Sequence, residues 1–229
     1  MKKSKWTTRL AAACGALAAT AILTATPASA AVFTFDNTDL SSGTISYDGE
    51  GGSAVGTGIT FDRFTASGTT NDGVYTCTGC VLTFTTGANI VETEIAGVYT
   101  YQFDGGGSFI ITGTVDGTGA TGTLLEGTFT GAGAFDFAAG QPLNFVGTGL
   151  DTKNADLLAF FGLTGDGFIF ASTEITTAAC QPGSNGGFNC TVREADVTNE
   201  QLVPEPGSLL LMGLSLLGFG TVARRRARK

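Results

Sequence analysis

Four interior cysteines, Cys77, Cys80, Cys180 and Cys190, are the side chains best suited by type to covalent chemistry. A zinc site would need the second pair at matching spacing and usually imidazole partners, and this chain has no histidine. A thioredoxin-like dithiol needs its Cys-x-x-Cys at a helix N-terminus, whereas the sequence around Cys77 and Cys80 is strand-like. Disulfides remain, since an even number of thiols fits an oxidising compartment. Three connectivities are open. The local ones are favoured: Cys77–Cys80 across a Thr-Gly turn, and Cys180–Cys190 closing a Pro-Gly-Ser-Asn-Gly-Gly loop. The second would constrain the unfolded chain by roughly 3 kcal/mol on a chain-entropy argument.

Other candidates for chemistry fare worse. Without histidine there is no usual general base and no Ser-His-Asp hydrolysis, and no G-x-S-x-G occurs. Glu92 and Glu94 would share a strand face and could form a carboxylate pair for glycoside hydrolysis. Nothing near them is aromatic enough to hold a sugar ring. Trp6 is the single tryptophan, and Tyr99 and Tyr101 alternate with Phe103 as a core face would. No catalytic residue is therefore expected. Gly117-Thr118-Gly119-Ala120-Thr121-Gly122 matches G-x-G-x-x-G, but Thr123 to Phe129 continues as strand, leaving no helix N-terminus to hold a pyrophosphate. The clusters Asp36-Asn37-Thr38-Asp39 and Asp48-Gly49-Glu50 lack EF-hand spacing and suit solvated turns, so neither metal nor cofactor is expected. The pairs Thr83/Thr85, Thr112/Thr114 and Thr128/Thr130 follow no constant period, as an ice-binding solenoid would require.

The elements that must position these residues are strands. Short runs of Val, Ile, Phe, Tyr and Thr are punctuated by glycine and Asp-Gly or Asn-Asp turns, giving about a dozen strands. The candidates are Val32–Phe35, Thr44–Tyr47, Ile59–Phe64, Gly73–Cys77, Cys80–Thr85, Val98–Phe103, Ser108–Val115, Thr121–Thr130, Ala134–Phe137, Leu143–Gly147, Gly167–Thr173 and Thr191–Ala195. A short helix is expected over Asn154 to Phe161, where Asp-Leu-Leu-Ala-Phe-Phe precedes Gly162. No βαβ alternation appears. The sequence predicts an all-β domain, a single sandwich or barrel-like closure that leaves few exposed edges, over residues 31–202.

Both termini carry address-like segments. Lys2, Lys3, Lys5 and Arg9 precede an apolar run from Leu10 to Leu23, and Ala28-Ser29-Ala30 follows Pro27, the layout of a secretory signal peptide cut between Ala30 and Ala31. Cys14 and Trp6 would leave with it, and signal peptidase and the Sec translocon would be the partners. At the other end Pro204 and Pro206 hold Glu205 in stiff extended chain. Gly207 to Ala223 carries no charge and six leucines, a span of roughly 25 Å as a helix, the short end of a membrane crossing. Its apolar residues favour insertion by about 2–5 kcal/mol. Arg224, Arg225 and Arg226 begin a basic cluster that should stay cytoplasmic, leaving the body outside. Of 12 basic residues only Arg63, Lys153 and Arg193 fall in the body, against all but one of the 20 acids, a balance of about −16. Such a surface repels nucleic acid and anionic lipid.

Val203-Pro204-Glu205-Pro206-Gly207, the Leu/Gly-rich span and the terminal arginines resemble the PEP-CTERM sorting signal of Gram-negative bacteria, a tail family also called the ice-binding protein C-terminal domain. The resemblance covers residues 203–229. It implies recognition of Pro204, Glu205 and Pro206 by a membrane-embedded exosortase, a cysteine transpeptidase-like enzyme of species that make exopolysaccharide. The catalytic cysteine would belong to that partner. The expectation is an exported, non-enzymatic protein of the cell surface or exopolysaccharide matrix, passing through an inner-membrane-anchored intermediate with a periplasmic body. A glycan- or calcium-dependent adhesive module is the alternative.

Overall fold

A computed structural model of the chain describes residues 30–130, 133–138, 141–163, 168–178 and 180–201. The signal segment before Ala30, the proposed span 207–223 and the basic cluster 224–229 lie outside them. Among the described residues no helix is long and apolar enough to cross a membrane.

Among the described residues twelve strands form one antiparallel sheet: β1 (Val32–Asp36), β2 (Thr44–Tyr47), β3 (Ser53–Ser67), β4 (Gly73–Ile95), β5 (Val98–Phe103), β6 (Gly106–Val115), β7 (Thr121–Phe129), β8 (Gly133–Ala138), β9 (Asn144–Lys153), β10 (Phe168–Thr177), β11 (Gln181–Pro182) and β12 (Phe188–Gln201). The pairings close on themselves. Starting from β3, they run through β4, β6, β7, β9, β10, β12 and β1 back to β3. A second circuit shares β3, β4, β9, β10 and β12 but passes through β5 and β8 in place of β6 and β7, and through β2 in place of β1. Five long strands are thus common staves, and shorter strands complete the wall on either side. Closure pairs the backbone groups that an open edge would expose.

Period-two alternation drives the wall. In β1 the pattern Val-Phe-Thr-Phe-Asp sends Phe33 and Phe35 inward, both fully buried. The interior is largely phenylalanine. On the β1 side Phe33 packs on Phe64, Phe161 and Phe168, with ring centroids 5.1, 5.1 and 5.4 Å away. On the β2 side Tyr47 meets Tyr101, Phe103 and Phe188 at 5.5, 5.2 and 5.8 Å. Phe84 and Phe145 stack between opposite walls at 4.7 Å. These contacts replace the long helices that so glycine-rich a chain cannot build.

Among the described residues one α-helix, α1 (Ala155–Phe160), plugs the β1 side. Asn154 caps it by accepting from the Asp156 and Leu157 amides, and Leu157 and Leu158 are buried beneath it. Its position agrees with the sequence expectation.

Strand lengths differ from those expected. Gly73–Cys77 and Cys80–Thr85 are one strand, and β4 continues to Ile95. Cys77-Thr78-Gly79-Cys80 is a bulge, not a turn: the register to β6 slips between Thr78 and Val81, and Gly79 adopts φ 63°, while β6 pairs on both sides. Gly117 to Gly122 turns from β6 into β7, with the Thr118 hydroxyl donating to Val115 O and accepting from Ala120 N.

β4 and β5 are joined by a two-residue turn in which Ala96 and Gly97 both have positive φ, 54° and 82°. Such a turn favours Asn-Gly, and alanine is strained there. Ala96→Asn should therefore raise stability by about 1 kcal/mol, read as an upward shift of the urea midpoint at unchanged slope.

Candidate functional site

The sorting residues Val203, Pro204, Glu205, Pro206, Gly207, Arg224, Arg225 and Arg226, and Ala28 of the cleavage site, fall outside the described residues. Ala30 and Ala31 fall inside. Ala31 is fully buried beside the start of β1, and its carbonyl accepts from the amide of Gln201 at 2.8 Å. The first and last residues of the body therefore lie side by side, as the register Val32↔Glu200 requires.

Cys77–Cys80 and Cys180–Cys190 are both disulfide-bonded, the local pairings favoured from the sequence. The first pins the β4 bulge. The second ties β12 to the loop 181–187, which folds back over the β2 side of the interior.

That loop helps bring together residues that sequence reasoning kept apart. The β4–β5 hairpin sets Glu92 opposite Tyr101 and Glu94 opposite Tyr99, so the two carboxylates do have aromatic neighbours. The sequence assigned Tyr99 and Tyr101 to a core face apart from the carboxylates, because the cross-strand register that joins them is not visible in a linear scan. Tyr101 is buried and donates its hydroxyl to the carbonyl of Gly186, while Tyr47 accepts from the Gly51 amide at 3.0 Å. Burial, with the Glu92 charge, pushes the Tyr101 phenol well above its ordinary range. Its ring stacks on Tyr99 at 6.3 Å, a packed arrangement and not an open platform for a sugar.

The acidic clusters are spent on local structure. Asp36 holds Arg63 through two hydrogen bonds of 2.5 and 2.8 Å. Asn37 donates to Thr60 O and accepts from Ala195 N, and Thr38 donates to Asp62. Asp48 accepts from the Glu50 amide, and Glu50 accepts from Asn185. Among the described residues no three His, Cys, Asp or Glu side chains are grouped as a metal ion would require. Asp36, Arg63, Glu174, Glu194 and Asp196 instead line an open, mostly anionic groove of about 350 Å³ on the outer face of β1, β3, β10 and β12. Within it burial raises the Asp196 carboxyl, opposed by a hydrogen bond from Thr198 and reinforced by the charges of Asp36 and Glu174.

The most unusual polar group lies inside the wall. Counting in twos along β9 from the buried Phe145 places Gly147, Gly149, Asp151 and Lys153 inward, while Leu150 is 52% exposed. The Asp151 and Lys153 side chains are fully enclosed and joined by a salt bridge. Lys153 Nζ also donates to Asn199 Oδ1 of β12 at 2.8 Å and sits 4.5 Å from the Phe168 ring centroid. Burial raises the Asp151 carboxyl and lowers the Lys153 amine to about 8, their mutual attraction opposing both shifts. Asp151 Oδ2, Asn199 Nδ2 and Thr173 Oγ1 find no hydrogen-bond partner among the described residues. Sequence reasoning missed this site, although its signal was present: Lys153 is the only lysine of the body, at an i, i+2 spacing from an aspartate on a strand.

The folded Asp196 carboxyl lies above the unfolded value of 3.8, so the folded state holds that proton more tightly and stability falls as pH rises through this window. Asp196→Asn keeps an acceptor for Thr198 and removes the charge. Its urea midpoint should exceed that of the parent at pH 7 and converge with it at pH 3, whereas a constant offset at both pH values would contradict the burial argument.

No curated protein and no solved structure is detectably similar to the chain. Residues 202–227 match the family model for the PEP-CTERM protein-sorting motif. The match begins one residue beyond β12 and includes Pro204, Glu205, Pro206 and the Arg224–Arg226 cluster. The chain thus carries a PEP-CTERM sorting motif, which supports its handling as an exported substrate of exosortase.

Proposed function

We propose that the chain is a non-enzymatic β-domain delivered by exosortase to the cell surface or the exopolysaccharide matrix, where it acts as a structural component. The motif at residues 202–227 carries the proposal. In this reading the signal segment engages the Sec translocon and is cut by signal peptidase between Ala30 and Ala31. The apolar run 207–223 then holds the body on the periplasmic side of the inner membrane until exosortase acts near Pro204-Glu205-Pro206. The body suits such a destination: its wall is closed, its thiols are paired, and its charge keeps it soluble and apart from anionic lipid.

The anionic groove around Asp36 and Asp196 favours one second reading, a module that adheres to glycan through a bridging cation such as calcium. Glycan arrays probed with and without calcium separate the two: saturable, calcium-dependent binding supports the adhesive module, and silence supports the structural role.

Sorting is tested by fractionating the native host expressing either the parent chain or Pro204→Ala/Pro206→Ala. The parent should appear in the surface or matrix fraction without its C-terminal arginines. The double variant should accumulate several-fold in the inner-membrane fraction with those arginines intact. Identical distributions and identical C-termini would remove the basis for the proposal.

A further inference from the structure

We propose that Lys153 and Asn199 crosslink themselves: the ε-amino nitrogen of Lys153 displaces ammonia from the side-chain amide of Asn199, with Asp151 carrying the proton, leaving an isopeptide bond between β9 and β12. The inference stands independently of where the protein is sorted.

The Lys153 amine already touches both of the other groups. Lys153 Nζ lies 2.8 Å from Asn199 Oδ1. A carbonyl bond is about 1.2 Å long, so the electrophilic carbon lies within about 4 Å of the nucleophile. Asp151 contacts the same amine. Enclosure is complete: Asn199 is fully buried and the Lys153 and Asp151 side chains have no exposed surface. Phe168 covers the amine and is itself stacked on Phe33. Water that would hydrate an ammonium or compete as a nucleophile is thereby excluded.

Of the three buried polar atoms without partners among the described residues, those of Asp151 and Asn199 point to reaction and not to simple support. An orphaned buried donor or acceptor is a net cost in a purely structural cluster. Here the unpartnered Asn199 Nδ2 is the leaving group, and the unpartnered Asp151 Oδ2 is the oxygen free to handle a proton. Burial also favours a neutral amine and a protonated carboxyl, the forms that attack and donate.

The step balances without a co-reactant. The Lys153 lone pair forms the new C–N bond at Asn199 Cγ, and the carbonyl electrons shift onto Oδ1. Asp151 takes a proton from the attacking nitrogen and delivers one to Nδ2. The tetrahedral adduct collapses, the Cγ–Nδ2 bond breaks, and ammonia departs. A neutral amide replaces a buried ion pair, whose desolvation its Coulomb attraction need not recover. β9 and β12 do not pair directly; β10 runs between them. The bond would therefore bridge across a stave and lock the closing strand covalently into the wall.

Peptide mapping of the purified full-length chain, reduced, alkylated and denatured, tests this directly. The expected result is one branched species joining the Lys153 and Asn199 peptides, lighter than their sum by one ammonia. Separate linear peptides of sequence mass would overturn the proposal, as would an ammonia loss confined to a linear Asn199 peptide. In Asp151→Asn the branched species should fall at least tenfold while both disulfides and the β-sheet circular dichroism persist. An undiminished yield in that variant would overturn the role given to Asp151.

Discussion

The body depends on the seating of β12. This strand pairs with β1 near its C-terminal end, with β2 and β11 near its N-terminal end, and with β10 along its length. Remove it and both circuits open, exposing the edges of β1, β2 and β10 and admitting water to the phenylalanine interior. Its inward residues Phe188, Cys190, Val192, Val197 and Asn199 are all buried, so one strand contributes to the aromatic core, a disulfide and the enclosed Lys153 cluster. The contacts it makes are among the most distant in sequence: the Thr34 and Thr198 hydroxyls meet at a separation of 164 residues.

The interior combines two materials with different demands. Phenylalanine rings tilt and stack at 4.7 to 6.0 Å and tolerate the irregular spacing that bulges impose. The Asp151–Lys153–Asn199 cluster tolerates nothing of the kind, because a charge enclosed by rings must keep its partners. Its place beside Phe168 and next to the capped helix explains why Asn154 follows Lys153 directly. The strand ends where its last side chain is buried, and the helix then covers that end of the interior.

Much of this was legible in the residues. Alternation located the strands, and the Asp-Leu-Leu-Ala-Phe-Phe run before Gly162 located α1, because both are local signals. The extension of β4 through Ile95 was legible only in part: Glu92 and Glu94 read as one strand face, but Thr86 to Asn89 is small and polar and is held as strand by its partners β3 and β5. The Cys-x-x-Cys segment read as a turn because glycine permits one, whereas the neighbouring β6 keeps it in the wall. Closure itself is a tertiary outcome without a local signature. For the candidate sites the contrast is sharper. A linear motif such as Val-Pro-Glu-Pro-Gly is complete in the sequence and needs no fold to be seen. The meeting of Lys153 with Asn199, or of Glu92 with Tyr101, exists only through register.

A ring whose final stave is the last segment of the body has a consequence for how the chain reaches its native state as it emerges from its N-terminus. The hairpins β3–β4, β6–β7 and β4–β5 are adjacent in sequence and can zip early, but each nascent intermediate remains an unsealed sheet. Until residues 188–201 arrive, β1, β2 and β10 each present one unpaired edge to whatever chains are nearby, including other copies at the same stage. Sealing is therefore a single late event, and the segment that follows it immediately is the sorting motif. A chain whose tail has emerged is, by the order of its own residues, one whose barrel has just become able to close.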